Sequence, residues 1–137
     1  MLEMVVGAYI AGLSNHNPQV RFACAHSLDS YGDPRAVEPL TALSYDPVPR
    51  VRWMALHALS CDACKVKRPV AEKAFARASE MAIGDESVQV RRHATIAVGQ
   101  FGGPEAAALL ARIAANDPDE VVRRNARGML KQVAKWS

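Results

Sequence analysis

The sequence lacks the features that identify secreted and membrane proteins. Its cysteines number three, and an odd number argues against the disulfide framework of a small secreted domain. The apolar run at residues 4–13 is too short to span a bilayer, and it is preceded by Glu3 instead of the basic segment of a signal peptide. We therefore expect a cytoplasmic protein that does not bind membranes.

Aromatic residues and net charge are also scarce. Aromatic side chains make up 6% of the 137 residues and hydrophobic residues 50%, which suits helices packed through Ala, Leu and Val. The net charge of +3 is too small to indicate nucleic-acid binding by itself. Its distribution is uneven, because residues 1–60 carry four basic and five acidic side chains, whereas residues 61–137 carry thirteen and nine. The basic second half points to an anionic partner.

The chain contains none of the catalytic motifs that a sequence can reveal. It has no Gly-x-Ser-x-Gly nucleophile, no phosphate-binding P-loop and no paired-carboxylate motif. Gly102 and Gly103 precede Pro104, a combination typical of a break between helices and not of a phosphate-binding loop. We therefore predict a non-catalytic protein that needs no cofactor.

What the sequence does contain is one pattern in four copies, at residues 15–28, 46–59, 85–98 and 117–130. Each copy starts with Asp or Asn, has Val-Arg five residues later, and has a small residue four positions after that Val. The valines of successive copies lie 31, 39 and 32 residues apart. Self-similarity at such intervals indicates a solenoid in which each repeat packs on its neighbours.

Proline, glycine and capping residues divide the chain into eight predicted helices. These helices cover residues 2–13, 18–31, 34–44, 48–61, 69–83, 87–101 and 104–115, and a last helix ends near residue 135. Asn15 or Asn17 is expected to cap the second helix, and Pro39 is expected to kink the third. Paired as antiparallel hairpins, the helices predict a single all-α domain, a right-handed α-solenoid. Its four repeats cover about residues 1–32, 33–65, 66–103 and 104–137.

The copies resemble HEAT repeats, specifically the phycobilisome-lyase HEAT-like repeats. The resemblance rests on D-P-V-P-R-V-R-W-M-A-L-H-A-L at residues 46–59, on Y-G-D-P-R-A-V-E-P-L-T-A-L at residues 31–43, and on the Asp and Val-Arg frame. It implies an interaction scaffold whose Val-Arg helices line the concave side. It also implies a structural ladder of turn aspartates and arginines: Asp46, Arg52, Asp85, Arg91, Asp117 and Arg123, with Asn15 and Arg21 in the first copy. A lyase-like subunit that assists bilin attachment is implied by family analogy alone.

Helical periodicity assigns one side of each Val-Arg helix to the concave groove. A rotation of about 100° per residue places positions four, seven and eight after the Val in the core, and positions two, six and nine on the groove side. The residues predicted to contact a partner are Phe22, His26, Trp53, His57, Arg92, Ile96, Arg124 and Lys131. Asp29, Ser60 and Gly99 share the ninth position with Lys131. The alternative is that Trp53 packs on a neighbouring repeat and that the arginines form an ordinary solvated face.

The composition of this groove favours binding of a protein or peptide. Its first half is aromatic and rich in histidine, its second half is rich in arginine, and Trp and Arg are frequent at binding hot spots. Nucleic-acid binding by the basic half is the alternative, through Arg92, Arg123, Arg124, Arg127 and Lys131. Acidic residues at the start of the last helix argue against it.

His57, Cys61 and Cys64 form a His-x3-Cys-x2-Cys sequence at the end of one predicted helix. Cys-x2-Cys is half of a typical zinc site, and His26 is a candidate fourth ligand from the preceding repeat. A disulfide between the two cysteines and free thiols packed in an irregular loop are the alternatives. Cys24 replaces a core alanine and is expected to pack there.

The first predicted helix lacks the polar outer face of a terminal repeat. Glu3 is its one charged residue, and Met4 and Val5 add apolar surface beyond a single stripe. One expectation is that this hairpin pairs with a second copy of the chain or with a preceding segment. The other is that Val5 and Ile10 are buried against the second helix.

Overall fold

The computed structural model describes residues 2–60 and 71–136, which form eight α-helices and one 3-10 turn, with no strand. The helices are α1 Leu2–Gly12, α2 Pro18–Asp29, α3 Val37–Leu43, α4 Pro49–Ser60, α5 Ala71–Gly84, α6 Val88–Phe101, α7 Gly103–Asn116 and α8 Glu120–Trp136. The prediction of an all-α fold built from helical hairpins is confirmed. Within the described residues, no helix combines the length and the apolar character needed to cross a lipid bilayer.

The helices form two compact units, residues 1–74 and 75–137. In the first unit, α1 packs on α2, α3 packs on α4, and α2 packs on α4. In the second unit, α6 packs on both α7 and α8, and α7 packs on α8. Phe75 of α5 meets Phe101 of α6 edge to face, with ring centroids 5.4 Å apart. In each unit, therefore, the Val-Arg helices of two consecutive hairpins lie side by side.

The core of each unit contains most of the positions that helical periodicity assigns to it, although Ser27, Met129 and Leu130 are only half-buried. The valines of the last three copies, Val51, Val90 and Val122, are fully buried, and so are the small residues four positions later. In the first copy, Val20 and Cys24 are only partly buried. The Sγ atom of Cys24 occupies the space that a Cβ would need at Gly12, so a glycine in α1 allows close packing on α2.

A shared turn precedes each Val-Arg helix. The Oδ1 atom of the first residue in every copy accepts a hydrogen bond from the backbone N–H two residues later, at 2.8–2.9 Å. Asp and Asn suit this Asx turn because their short side chains place an oxygen within reach of that N–H group. Asn15 forms the turn before α2, and Asn17 is the N-cap that accepts from the N–H of Gln19 at 2.9 Å.

The sequence predicts that Pro39 kinks a long helix, but the structure has no such kink. Residues 34–36 form a 3-10 turn whose N-cap, Asp33, accepts from the N–H of Arg35 at 2.9 Å. The α-helix begins only at Val37, so Pro39 lies in its first turn. Backbone N–H groups have no intrahelical acceptor there, and the missing proton of proline costs little. A change from 3-10 to α geometry thus replaces the predicted kink.

Candidate functional site

Arginine–aspartate pairs link consecutive hairpins within each unit. In the first unit, Nε and Nη2 of Arg21 donate to the two carboxylate oxygens of Asp46, at 2.7 and 3.1 Å. In the second unit, Nε of Arg91 donates to Oδ2 of Asp117 at 3.1 Å. Each aspartate also closes the turn of its own copy through Oδ1. One carboxylate therefore joins the turn of one hairpin to the Val-Arg helix of the hairpin before it.

Each ladder arginine also binds the turn of its own copy. Its Nη1 atom donates to the backbone carbonyl of the residue that begins the copy: Arg21 to Asn15 at 2.9 Å, Arg52 to Asp46 at 2.9 Å, Arg91 to Asp85 at 3.0 Å, and Arg123 to Asp117 at 2.6 Å. Hydrogen bonds from a charged donor are shorter and stronger than neutral ones. These arginines are thus engaged inside each unit, and their role in the structure is to hold the turns.

The exposed side of α2 and α4 carries an aromatic cluster, defined here as Phe22, His26, Trp53 and His57. The Phe22 ring lies 5.8 Å from Trp53, edge to face, and 6.4 Å from His26, nearly parallel, measured between centroids. The guanidinium of Arg50 lies over the Phe22 ring, 5.3 Å from its centroid. His26 is exposed and the other three members are half-buried. Mutual contact holds the rings in place while leaving part of their surface in water.

A buried carboxylate lies beneath the aromatic cluster. Asp29 is only 7% exposed, and its Oδ2 atom lies 3.2 Å from Nε2 of His57. A polar contact of this length orients the imidazole ring of His57, and the ring in turn covers the carboxylate. The cluster thus contains an aromatic part around Phe22 and a polar part at His57.

The prediction that the ninth position after the Val faces a groove is wrong in three copies. Asp29, Ser60 and Gly99 are buried, whereas Lys131 is exposed. His57 of α4 covers Asp29, and Met129 of α8 lies so close to Gly99 that a Cβ there would be 2.6 Å from the Cβ of Met129. A helical wheel considers one helix in isolation, so it does not include the neighbouring helix that covers this position.

The corresponding side of α6 and α8 is polar. Nε and Nη2 of Arg92 donate to the two carboxylate oxygens of Asp119, both at 3.0 Å. Asp119 also accepts from the N–H of Val122 at 3.0 Å, near the start of α8. The hydrogen bonds from Arg92 lower the pKa of Asp119 from its usual 3.8 to about 2. Arg92, which the sequence predicts to contact a partner, is therefore paired with a carboxylate of its own unit.

Two further arginines of α8 are paired with Glu120. Arg123 and Arg127 each donate an Nη2 hydrogen bond to this carboxylate, at 2.6 and 3.0 Å, and these bonds lower the pKa of Glu120. Arg124 and Lys131 are exposed, and no carboxylate of the described residues pairs with them. Three of the five side chains considered for nucleic-acid binding thus have carboxylate partners.

The candidate metal site falls mostly outside the described residues, because Cys61 and Cys64 lie there. Within the described part of the chain, no three His, Cys, Asp or Glu side chains are grouped so that they could hold a metal ion. His26, the candidate fourth ligand, stacks on Phe22. Cys24 is a free, half-buried thiol, and its burial raises the pKa of the thiol.

A comparison with protein-family models agrees with this repeated geometry. The model of HEAT repeats matches residues 3–60 and 62–131, which is most of the chain. The chain belongs to the HEAT repeat family. HEAT repeats commonly serve as scaffolds for protein interactions and are generally non-catalytic. A comparison with curated proteins gives no match.

Proposed function

We propose that this HEAT-repeat chain is a non-catalytic interaction module that binds a segment of another protein. The exposed sides of its Val-Arg helices would make the contacts. The aromatic cluster on α2 and α4 is the observation that carries the proposal. Phe22 and Trp53 touch each other, yet both keep part of their surface in water.

The aromatic cluster offers a partner apolar surface that is already held in place. Large aromatic side chains bury much apolar area when a partner covers them, and they lose few rotamers in doing so. Contacts with His26 and Arg50 already restrict the Phe22 ring, so binding costs less conformational entropy. Aromatic residues held in this way are frequent hot spots of protein interfaces.

Selection of peptides from a random library tests the proposal, whichever protein is the natural partner. Twelve-residue peptides selected on the wild-type chain should bind Trp53→Ala or Phe22→Ala at least about tenfold more weakly, the loss typical of a hot spot. Tyr45→Ala is the matched control, because Tyr45 is a 62% exposed aromatic residue of the same unit outside the cluster. Selected peptides that bind Trp53→Ala as tightly as wild type would contradict the proposal.

Nucleic-acid binding has less support from the same structure. Arg92, Arg123 and Arg127 donate their hydrogen bonds to carboxylates of their own unit, so they are less able to bind phosphates. Binding of random duplex DNA that weakens steeply with salt would nevertheless favour this alternative.

We also propose that the chain belongs to a narrower family, the phycobilisome-lyase HEAT-like repeats. The sequences at residues 31–43 and 46–59 support it. The four repeats at the predicted boundaries and the cytoplasmic location are parts of the same proposal. A lyase-like role would be indicated by a change in the visible absorbance of a bilin when the chain and a carrier protein are mixed with it.

We also propose that α1 associates with a second copy of the chain. Leu2 and Met4 are 60% and 79% exposed, whereas Val6 of the same helix is fully buried. Exposed apolar side chains on one helix favour self-association because contact removes them from water. Sedimentation over a range of concentrations should show a dimer that Met4→Glu weakens. A strict monomer at high micromolar concentration would contradict this part.

A further inference from the structure

We infer that the exposed side of α6 and α8 binds an extended acidic segment of a partner protein, with an apolar side chain among its carboxylates. This inference rests on the proposed function and specifies the chemistry of the segment that the second unit accepts. It follows from where the charges of these two helices lie and from which of them are already paired.

The carboxylates are confined to one end of this surface. Helix α6 contains no acidic residue, and in α8 the first residue, Glu120, is the last acidic residue of the chain. Asp117 and Asp119 lie in the turn just before α8. Negative charge is favourable at this end because it faces the unsatisfied N–H groups and the positive end of the helix dipole.

These three carboxylates pair with four arginines. The pairs are Arg91 with Asp117, Arg92 with Asp119, and both Arg123 and Arg127 with Glu120. Arg124, Lys131 and Lys135 are exposed, and none of them pairs with a carboxylate of the described residues. The rest of the surface therefore carries positive charge alone, and it attracts a partner of the opposite sign.

The spacing of the three cations suits an extended chain. Their sequence numbers place them on one face of α8. At a rise of about 1.5 Å per residue, Arg124 and Lys131 are about 10 Å apart along the helix axis, and Lys131 and Lys135 are about 6 Å apart. Every second side chain of an extended strand lies about 6.6 Å from the one before it. Carboxylates two or three residues apart in a peptide can thus reach successive cations.

Gly128 and Ile96 add room and an apolar contact to this row of cations. Gly128 is exposed between Arg124 and Lys131, and no atom lies within 4 Å of the place where its Cβ would be. Ile96 of α6 is 37% exposed. Because Gly99 of α6 lies against Met129 of α8, Ile96 one turn earlier comes beside the turn that contains Arg124 and Gly128. An apolar side chain of the segment can cover Ile96.

Among the side chains that the structure describes, this surface presents no free aromatic ring of the kind that binds single-stranded nucleic acid. Helix α6 and residues 120–135 contain one Phe, Tyr or Trp, namely Phe101, which packs against Phe75. Proteins that bind single strands stack successive bases on aromatic side chains in addition to contacting phosphates. Three cations beside an isoleucine thus fit a peptide better than an oligonucleotide.

Fluorescence anisotropy with a labelled peptide of four Glu-Leu-Glu triplets tests the inference. At low ionic strength, this peptide should bind the wild-type chain at least about tenfold more tightly than the same peptide with Gln in place of Glu. Arg124→Glu should weaken binding at least about fivefold, whereas Arg124→Lys should restore it. Arg112→Glu is the matched control, since it makes the same charge change at an exposed position of α7 and should leave binding unaltered.

Several outcomes would overturn the inference. One is equal binding of the Glu and Gln peptides to the wild-type chain. Another is equal weakening of Glu-peptide binding by Arg112→Glu and Arg124→Glu. A third is displacement of the Glu peptide by an equal concentration of a twelve-nucleotide oligo(dT). The last result would assign the surface to nucleic acid. If the Glu peptide fails while library peptides still depend on Trp53, the inference fails and the proposed function stands. If neither binds, both fail.

Discussion

In the first unit, the second position after each Val holds Phe22 or Trp53, and in the second unit it holds Arg92 or Arg124. The two aromatic rings of the first unit contact each other. In the second unit, by contrast, Arg92 binds Asp119 and Arg124 is left exposed without a carboxylate partner among the described residues. The same place in the repeat thus provides apolar surface in one unit and charge in the other.

The frame beneath these positions is the same in both units. Arg21 reaches Asp46 in the first unit as Arg91 reaches Asp117 in the second, and both aspartates close an Asx turn. Turns, ladder and core therefore define the repeat, while the outward positions vary without disturbing it. Substitutions in the frame should therefore change stability in both units alike, and outward substitutions should change binding.

The largest effect on stability is expected for substitutions in the core of each unit. Leu59→Ala should lower the free energy of unfolding by about 2–5 kcal/mol, and Val98→Ala at the same position of the other unit by about 1–3 kcal/mol, because fewer methylene groups leave the core. Val51→Ala should also cost about 1–3 kcal/mol. Chemical denaturation followed by circular dichroism measures all three. A larger loss for Val51→Ala than for Leu59→Ala would mean that the helix phase is wrong.

The second-largest effect on stability is expected for substitutions of the ladder arginines, in both units. Arg21→Ala, Arg52→Ala and Arg91→Ala should each lower the free energy of unfolding by about 1–3 kcal/mol, since each leaves turn carbonyls or a carboxylate without its donor. Arg124→Ala, an exposed arginine outside the ladder, is the control and should unfold like wild type. Unchanged melting temperatures for the ladder variants would contradict a structural role.

Replacing each of two glycines of the second unit with alanine should change the free energy of unfolding in opposite directions. Gly99→Ala should destabilise by about 1–3 kcal/mol because its Cβ would overlap Met129, which overpacks the contact between α6 and α8. Gly128→Ala has open space around its Cβ and should stabilise α8 by about 0.5–1 kcal/mol. Denaturant midpoints of the two variants check this. If both glycine variants destabilise, the close approach at Gly99 is not the reason.

The smallest effect concerns acid stability and should distinguish the second unit from the first. The pKa of Asp119 is about 2 in the folded chain and 3.8 in its usual range, so the unfolded chain binds the proton first as pH falls. The contribution of the Arg92–Asp119 pair is therefore present above pH 3.8 and is lost as pH falls towards about 2. Unfolding measured from pH 6 to pH 2 should be less dependent on pH for Asp119→Asn than for wild type. Identical pH dependence would show that the pair adds no stability.

The boundaries of the helices can be predicted from the sequence more completely than the contacts of their exposed side chains. Asn17, Gly102 and Pro104 mark helix boundaries through local backbone chemistry, so they can be recognised one segment at a time. The expected kink at Pro39 is absent because a 3-10 turn before it moves the start of the α-helix. The pairing of Arg92 with Asp119 joins residues 27 positions apart, a separation that no local pattern reveals.

The repeat, its turns and the buried face of each Val-Arg helix can be predicted from the amino-acid sequence. These features depend on interactions within a few residues and on a 3.6-residue period, both of which can be counted along the chain. Which outward positions stay exposed, by contrast, depends on the packing of neighbouring helices. A neighbouring helix covers Asp29 and Gly99, and the turn before α8 supplies the partner of Arg92, whereas Arg124 and Lys131 stay exposed. Whether a position is covered depends on the distance and alignment between two helices, and packing sets both.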